Sequence, residues 1–164
     1  HGRYQEAVLR GNVFIGSPPA ALTWAAGLTT TATVAAIANP STSGKNMVVL
    51  ATGFALTATT LGVIGLSVQT YSAVLSAATT SFLINNALIG SGNATGMRST
   101  LTLQSTPIVG IILGGMSAAS ATTVNTSYVE LGGMIVIPPG CAIAVECSAA
   151  QTGWTYLTWE EVPI

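Results

Sequence analysis

MIVIPPGCAIAVEC, residues 134–147, is the stretch that decides the fold of this 164-residue chain. An apolar run ends at Pro138-Pro139-Gly140, and the run that follows alternates strictly between two faces. Such alternation predicts a strand with Ile143 and Val145 on the cysteine face and with Ala142, Ala144 and Glu146 on the other. The Pro-Pro-Gly turn predicts a hairpin, and it would set the register of the strand that begins at Cys141.

Short strand-like runs separated by turn residues continue in both directions along the chain. Helical periodicity is almost absent, and residues 4–10 fit a short helix or a strand equally well. Gly114-Gly115 is expected to end the run that begins at Pro107. The other predicted strands cover residues 6–15, 21–26, 29–38, 47–54, 56–60, 61–71, 81–88, 99–104, 122–131, 134–137, 141–147 and 154–162.

No segment offers a crossover helix, so antiparallel pairing of about eight to ten strands is expected. This number of short strands is typical of a double-sheet jelly roll. We therefore predict an all-β fold, an antiparallel jelly-roll β-sandwich over residues 26–164. Residues 1–25, which precede the regular strand spacing, are predicted to form an extended N-terminal arm.

The two cysteines, Cys141 and Cys147, lie on one predicted strand. At roughly 3.3 Å per residue they would be about 20 Å apart, which is too far for a disulfide. Free, buried thiols are therefore expected.

Charged residues make up only 5% of the chain, and none lies between Lys45 and Arg98. The usual share is about 25%. One explanation is a small neutral domain with a surface of Thr, Ser, Asn, Gln and Gly. We favour the other, a homo-oligomer subunit largely covered by other chains, because interface cores are depleted of charge and loop 89–97 is uncharged too.

The same composition argues against several function classes. A net charge of −1 does not favour nucleic-acid binding. The apolar stretch 48–67 contains Thr and Gly and has no basic flank, so membrane insertion is not expected.

Catalytic side chains are scarce. The single histidine is His1, there is no Asp, and the glycine-rich run 90–96 has no lysine or following helix to bind phosphate. Glu160 and Glu161 should face opposite sides of a strand, with one of them pairing with Lys45 or Arg98. We therefore expect no enzyme activity, catalytic residue, cofactor or metal site.

Three segments carry a resemblance to a known family: IANPSTSGKNMVVL at 37–50, GMIVIPPGCAIAV at 133–145, and the ending WEEVPI at 159–164. Together they resemble virion proteins of tailed bacteriophages, in which a jelly-roll domain decorates or cements the capsid or forms a short fibre. The resemblance implies a capsid decoration protein, made in the host cytoplasm and placed on the capsid surface of the virion. Its partners would be the major capsid protein and copies of itself, most simply in a trimer.

On this hypothesis the arm holds neighbouring subunits. Arg3, Glu6 and Arg10 would form ion pairs between subunits, and Trp24 is a further candidate interface residue. Deleting residues 1–20 would then abolish shell binding and leave a folded body.

The alternative is a receptor-binding head or tail fibre that recognises host glycans through exposed aromatic side chains and Asn/Ser loops such as 90–97. Its candidate residues are Trp24, Trp154, Tyr156 and Trp159. Core packing is the competing interpretation, and we favour it for Trp154 and Trp159. A polysaccharide hydrolase is the third hypothesis.

Overall fold

Strands account for most of the computed structural model, which describes residues 4–29, 35–57, 59–70, 82–99, 108–116 and 125–164. In these residues one short helix, α1 (Gln5–Leu9), precedes ten strands. The strands are β1 (Val13–Ser17), β2 (Leu22–Trp24), β3 (Ala36–Asn39), β4 (Lys45–Leu56), β5 (Gly62–Thr70), β6 (Leu83–Asn86), β7 (Ile108–Met116), β8 (Asn125–Ile137), β9 (Cys141–Cys147) and β10 (Gln151–Pro163).

The strands form two sheets. The first has the order β6-β1-β10-β4-β8, with β2 also paired to β10, and the second has the order β3-β9-β5-β7. Every ladder between these strands is antiparallel, which confirms the predicted all-β class with antiparallel sheets. The pairs are nested along the chain: β1 with β10, β3 with β9, β4 with β8, and β5 with β7.

The main core lies between the two sheets. Alternation in β9 sends Ile143, Val145 and Cys147 into this core, together with Leu157 and Trp159 of β10. The opposite face of β9 contributes to a separate small cluster made of Ala36, Ala38, Ala142 and Ala144. The two faces predicted for this strand are therefore confirmed, and both cysteines are free, as expected. Burial was predicted for both thiols, but only Cys147 is buried, and Cys141 at the start of the strand is half-buried.

The Pro-Pro-Gly turn does not close a hairpin, so that prediction is wrong. It carries the chain from β8 in the first sheet to β9 in the second. The reason is that β9 is already hydrogen-bonded on both sides, to β3 and β5, while β8 pairs with β4. The turn between β3 and β4 likewise crosses from one sheet to the other.

Two predicted strand breaks are also wrong. Strand β7 continues through Gly114-Gly115, and β8 joins the two runs that were predicted on either side of Gly132-Gly133. Gly132 and Gly133 have φ of 59° and 83°, near the register shift between Val49 and Ala51 on β4. Glycine permits a bulge here where a side chain would strain the backbone.

Other predicted runs are placed only in part. The predicted strand 99–104 lies almost wholly outside the described residues, as does the first half of the run 29–38.

The N-terminal region enters the sandwich well before residue 26. Strand β1 lies between β6 and β10, and Phe14 stacks on Trp159 with ring centroids 6.2 Å apart. Strand β2 pairs with the first three residues of β10. The predicted boundary at residue 25 therefore does not separate an arm from the sheets. Of the described residues, 4–12 precede the first strand. Within the described residues no helix has the length and apolar character needed to cross a membrane.

Candidate binding surfaces

The predicted interface residues lie in different environments: two are exposed, one is buried, and one lies outside the described residues. Arg3 lies outside the described residues. Glu6 on α1 forms an ion pair with Arg10, the residue that follows the helix, and both side chains are largely exposed. These two charges therefore have an intrachain partner where pairing between subunits had been predicted, and surface pairs of this type contribute about 0.3–0.5 kcal/mol.

Trp24 is a core residue. Its side chain is 2% exposed, and its Nε1 donates a hydrogen bond of 2.9 Å to the carbonyl oxygen of Val145 on the opposite sheet. The indole therefore has no surface to offer to another chain or to a glycan.

Glu161 is a buried carboxylate, at 1% exposure. It accepts from Lys45 Nζ at 2.8 Å, from the backbone N–H of Gly96 at 3.0 Å, and from the Thr95 hydroxyl. The predicted pairing of one C-terminal glutamate with Lys45 is thus confirmed. Through these hydrogen bonds Glu161 fixes the loop before Arg98 to β10. Among the described residues, no group of three or more His, Cys, Asp or Glu side chains could hold a metal ion.

A groove of about 430 Å³ lies on the outer face of the first sheet. We call it the aromatic groove. Tyr128, Gly53 and Tyr156 form one cross-strand row, and Thr126, Ala55 and Trp154 form the next. Its lining consists of Ser17, Pro18, Gly53, Phe54, Ala55, Thr126, Ser127, Tyr128, Trp154, Thr155 and Tyr156.

Small residues on the middle strand make this groove. A Cβ at Gly53 would lie 2.2 Å from Cε1 of Tyr156, so the phenol ring occupies the space that a side chain would need. Tyr128 and Trp154 are 62% and 41% exposed. Burial, with a smaller effect from neighbouring Tyr128, raises the pKa of Tyr156, as expected for two phenols that share one groove.

The two tryptophans of β10 have different environments. Trp159 is fully buried, as favoured from the sequence, whereas the exposure of Trp154 contradicts the core position favoured for it. The two lie five residues apart, an odd spacing that puts them on opposite faces of a strand. That parity signal was present in the sequence, but the contribution of Gly53 and Tyr128 depends on a strand register that the sequence does not reveal.

A second, larger groove of about 570 Å³ lies between β7 and β8. We call it the apolar edge. Ile108, Met134 and Val136 are its exposed large apolar side chains. Its lining has no charged side chain and consists of Val68, Ile108, Gly110, Ile111, Met134, Ile135, Val136, Ile137, Pro138 and Cys141.

Comparisons of the chain with protein-family models, with curated proteins and with solved structures found no match. Function is therefore inferred from these surfaces and from the sequence motifs.

Proposed function

We propose that this chain is a jelly-roll subunit of a homo-oligomeric phage virion protein, one that decorates or cements the capsid through contacts with the major capsid protein. The nested pairing of β1 with β10, β3 with β9, β4 with β8 and β5 with β7 supports the jelly roll. Eight strands paired in this way form two four-stranded sheets with two Greek keys. Strands β2 and β6 then extend the first sheet.

The observation that carries the oligomer is the apolar edge. Strands β7 and β8 are the last strands of their sheets in the described residues. Monomeric proteins protect such edges with charged residues, especially lysine, or with proline. Strand β7 contains neither, and Glu130 is the only charge on β8. An unprotected apolar edge is suited to burial against a second copy of the chain.

The virion role is supported by the three segments that resemble phage jelly-roll proteins, and a trimer is the assembly we expect. Dry contacts along this edge would give a rigid assembly, because well-packed apolar interfaces exclude water as protein interiors do. Rigid contacts are what a capsid needs in order to withstand the packaged genome.

Native mass spectrometry and light scattering test the assembly. We expect a discrete oligomer for the natural chain and a folded monomer for the double variant Ile108→Lys/Val136→Lys, since both side chains are exposed. Ile89→Lys is the matched control, because Ile89 is exposed and lies outside the lining of the apolar edge. A natural chain that stays monomeric at high concentration would contradict the proposal.

The virion role needs a separate test. Quantitative mass spectrometry of purified phage particles from a culture that produces the chain should find it in fixed proportion to the major capsid protein, and antibody labelling should place it on the head. Its absence from intact particles would rule the role out while leaving the oligomer unaffected.

A second candidate function, recognition of host glycans by a head or tail fibre, is favoured by the aromatic groove.

A further inference from the structure

We infer that the aromatic groove is a binding site for a neutral saccharide, with Trp154, Tyr128 and Tyr156 as the stacking residues. The inference rests on the glycan-recognition candidate and assigns its residues and its ligand class. It does not depend on the capsid role.

The shape of the groove fits a small ligand. Its volume of about 430 Å³ lies within the range of roughly 300–1,000 Å³ that is usual for small-molecule sites. The outer face of a sheet presents side chains from neighbouring strands about 5 Å apart. The ring of Tyr156 lies over Gly53 of β4, next to Tyr128 on β8 in the same row and two residues from Trp154 on the same face of β10. These aromatic side chains therefore form a surface on which a flat ligand can stack.

The chemistry of the lining fits a sugar. Aromatic rings provide apolar faces, and the phenols of Tyr128 and Tyr156 add hydroxyls that can donate or accept hydrogen bonds. Ser17, Thr126 and Ser127 add further polar atoms to the lining. A saccharide offers the complementary combination, with C–H groups on the faces of its ring and hydroxyls at its edges.

The charges near the groove favour a neutral ligand. No lining residue is charged. The nearest charge on the same face of β8 is Glu130, two residues beyond Tyr128. An anionic sugar would gain no cation and would approach a carboxylate, so acidic glycans are disfavoured.

Fluorescence quenching by acrylamide reports on this site. Trp24 and Trp159 are buried, so the accessible tryptophan in the described structure is Trp154. The probes are maltoheptaose, cellohexaose, laminarihexaose, mannohexaose and dextran, with a sialylated oligosaccharide as the acidic comparison. We expect at least one neutral probe to lower the quenching constant of Trp154 severalfold and the acidic one to leave it unchanged.

Variants then test the geometry. Tyr128→Ala should weaken binding about tenfold through loss of one stacking surface. Gly53→Ala should weaken it by a similar factor, because the added methyl group displaces the ring of Tyr156. Thr158→Ala lies on the same face of β10, outside the groove lining, and should bind like the natural chain. Circular dichroism and thermal unfolding establish that each variant is folded.

Two results would overturn the inference: no neutral probe protects Trp154, or Trp154 becomes protected without sugar as the protein concentration rises. The second would identify the groove as a contact between copies. The monomeric double variant at the apolar edge separates this inference from the capsid proposal, since saccharide protection should persist in it.

Discussion

Asn39 joins two of the turns at which the chain passes from one sheet to the other, the β3–β4 turn and the β8–β9 turn. Its side chain is fully buried, and its Nδ2 donates hydrogen bonds of 2.8 Å to the carbonyl oxygens of Lys45 and Ile137. Its Oδ1 accepts from the hydroxyl of Ser43, and its backbone oxygen accepts from the N–H of Gly140 at 2.8 Å. The side-chain amide thus satisfies carbonyls at the start of β4 and the end of β8, while the backbone oxygen of the same residue links the end of β3 to the turn before β9.

Replacing this amide should be costly. Asn39→Ala removes one hydrogen bond to the buried carbonyl of Ile137 and one to the partly buried carbonyl of Lys45. At about 1–3 kcal/mol each, the unfolding free energy should fall by about 2–6 kcal/mol. Asn39→Asp should cost at least as much, because it buries a charge facing two carbonyl oxygens. Urea denaturation measures both, with the exposed Asn85→Ala as control. An Asn39→Ala variant as stable as the control would show that these hydrogen bonds contribute little.

The thiol of Cys147 makes stability depend on pH. Burial raises its pKa from the usual 9.0, because the core disfavours the thiolate. The unfolded chain therefore loses this proton at lower pH than the folded chain. The stabilising contribution is present below about pH 9 and is lost as the pH rises through the folded pKa.

Cys147→Ala isolates this effect from other titrating groups. The natural chain should lose stability relative to the variant as the pH rises above about 9, although a small cavity makes the variant less stable at neutral pH. Urea midpoints over this range measure the difference, and parallel pH profiles would contradict it.

At the scale of elements, β1 determines what can be removed from the N-terminus. Helix α1 has no buried residue, whereas Val13 and Phe14 of β1 lie in the core. Deleting residues 1–9 should therefore leave the thermal midpoint nearly unchanged. Deleting residues 1–20, which was expected to spare the body, should unfold it, because β10 and β6 lose the strand between them.

Thermal unfolding and near-ultraviolet circular dichroism distinguish the two truncations. A cooperative transition near the natural midpoint for the 1–20 deletion would show that β1 is dispensable. The body would then fold without the predicted N-terminal arm.

Local pattern predicted the strands better than their partners. Strict alternation was enough to place β9 and its two faces, because each side chain must point to one side or the other. The Pro-Pro-Gly turn fits a hairpin and a change of sheet equally well, since its conformation does not specify where β8 finds its partner. That partner is β4, some eighty residues earlier, and sequence spacing does not encode such pairing.

The candidate sites show the same limit. Parity along β10 separates Trp154 from Trp159, so one exposed aromatic was within reach of the sequence. Gly53 reads as an ordinary strand glycine until register sets it between Tyr128 and Tyr156. The apolar edge was anticipated only as a scarcity of charge along the chain, and the sequence did not show that two strands with almost no charge, β7 and β8, would be the last strands of their sheets.

At the scale of the whole molecule, β8 links the two proposed surfaces. The aromatic groove uses residues near its start, and the apolar edge uses residues near its end, roughly 20 Å away at about 3.3 Å per residue. Self-association through one end therefore leaves the other end open. An oligomer would present several grooves in a fixed arrangement.

This arrangement predicts that assembly controls avidity and leaves the intrinsic affinity unchanged. The monomeric Ile108→Lys/Val136→Lys variant should bind a short oligosaccharide with the Kd of the natural chain, because neither residue lines the aromatic groove. On a surface coated with the matching polysaccharide it should bind roughly a hundredfold more weakly, because linked sites gain about 10²–10⁴ from multivalency. Calorimetry and surface plasmon resonance measure the two quantities. If the variant binds the oligosaccharide and the coated surface more weakly by the same factor, the apolar edge supports the groove directly. If it binds both as tightly as the natural chain does, the oligomer does not present its grooves to one surface.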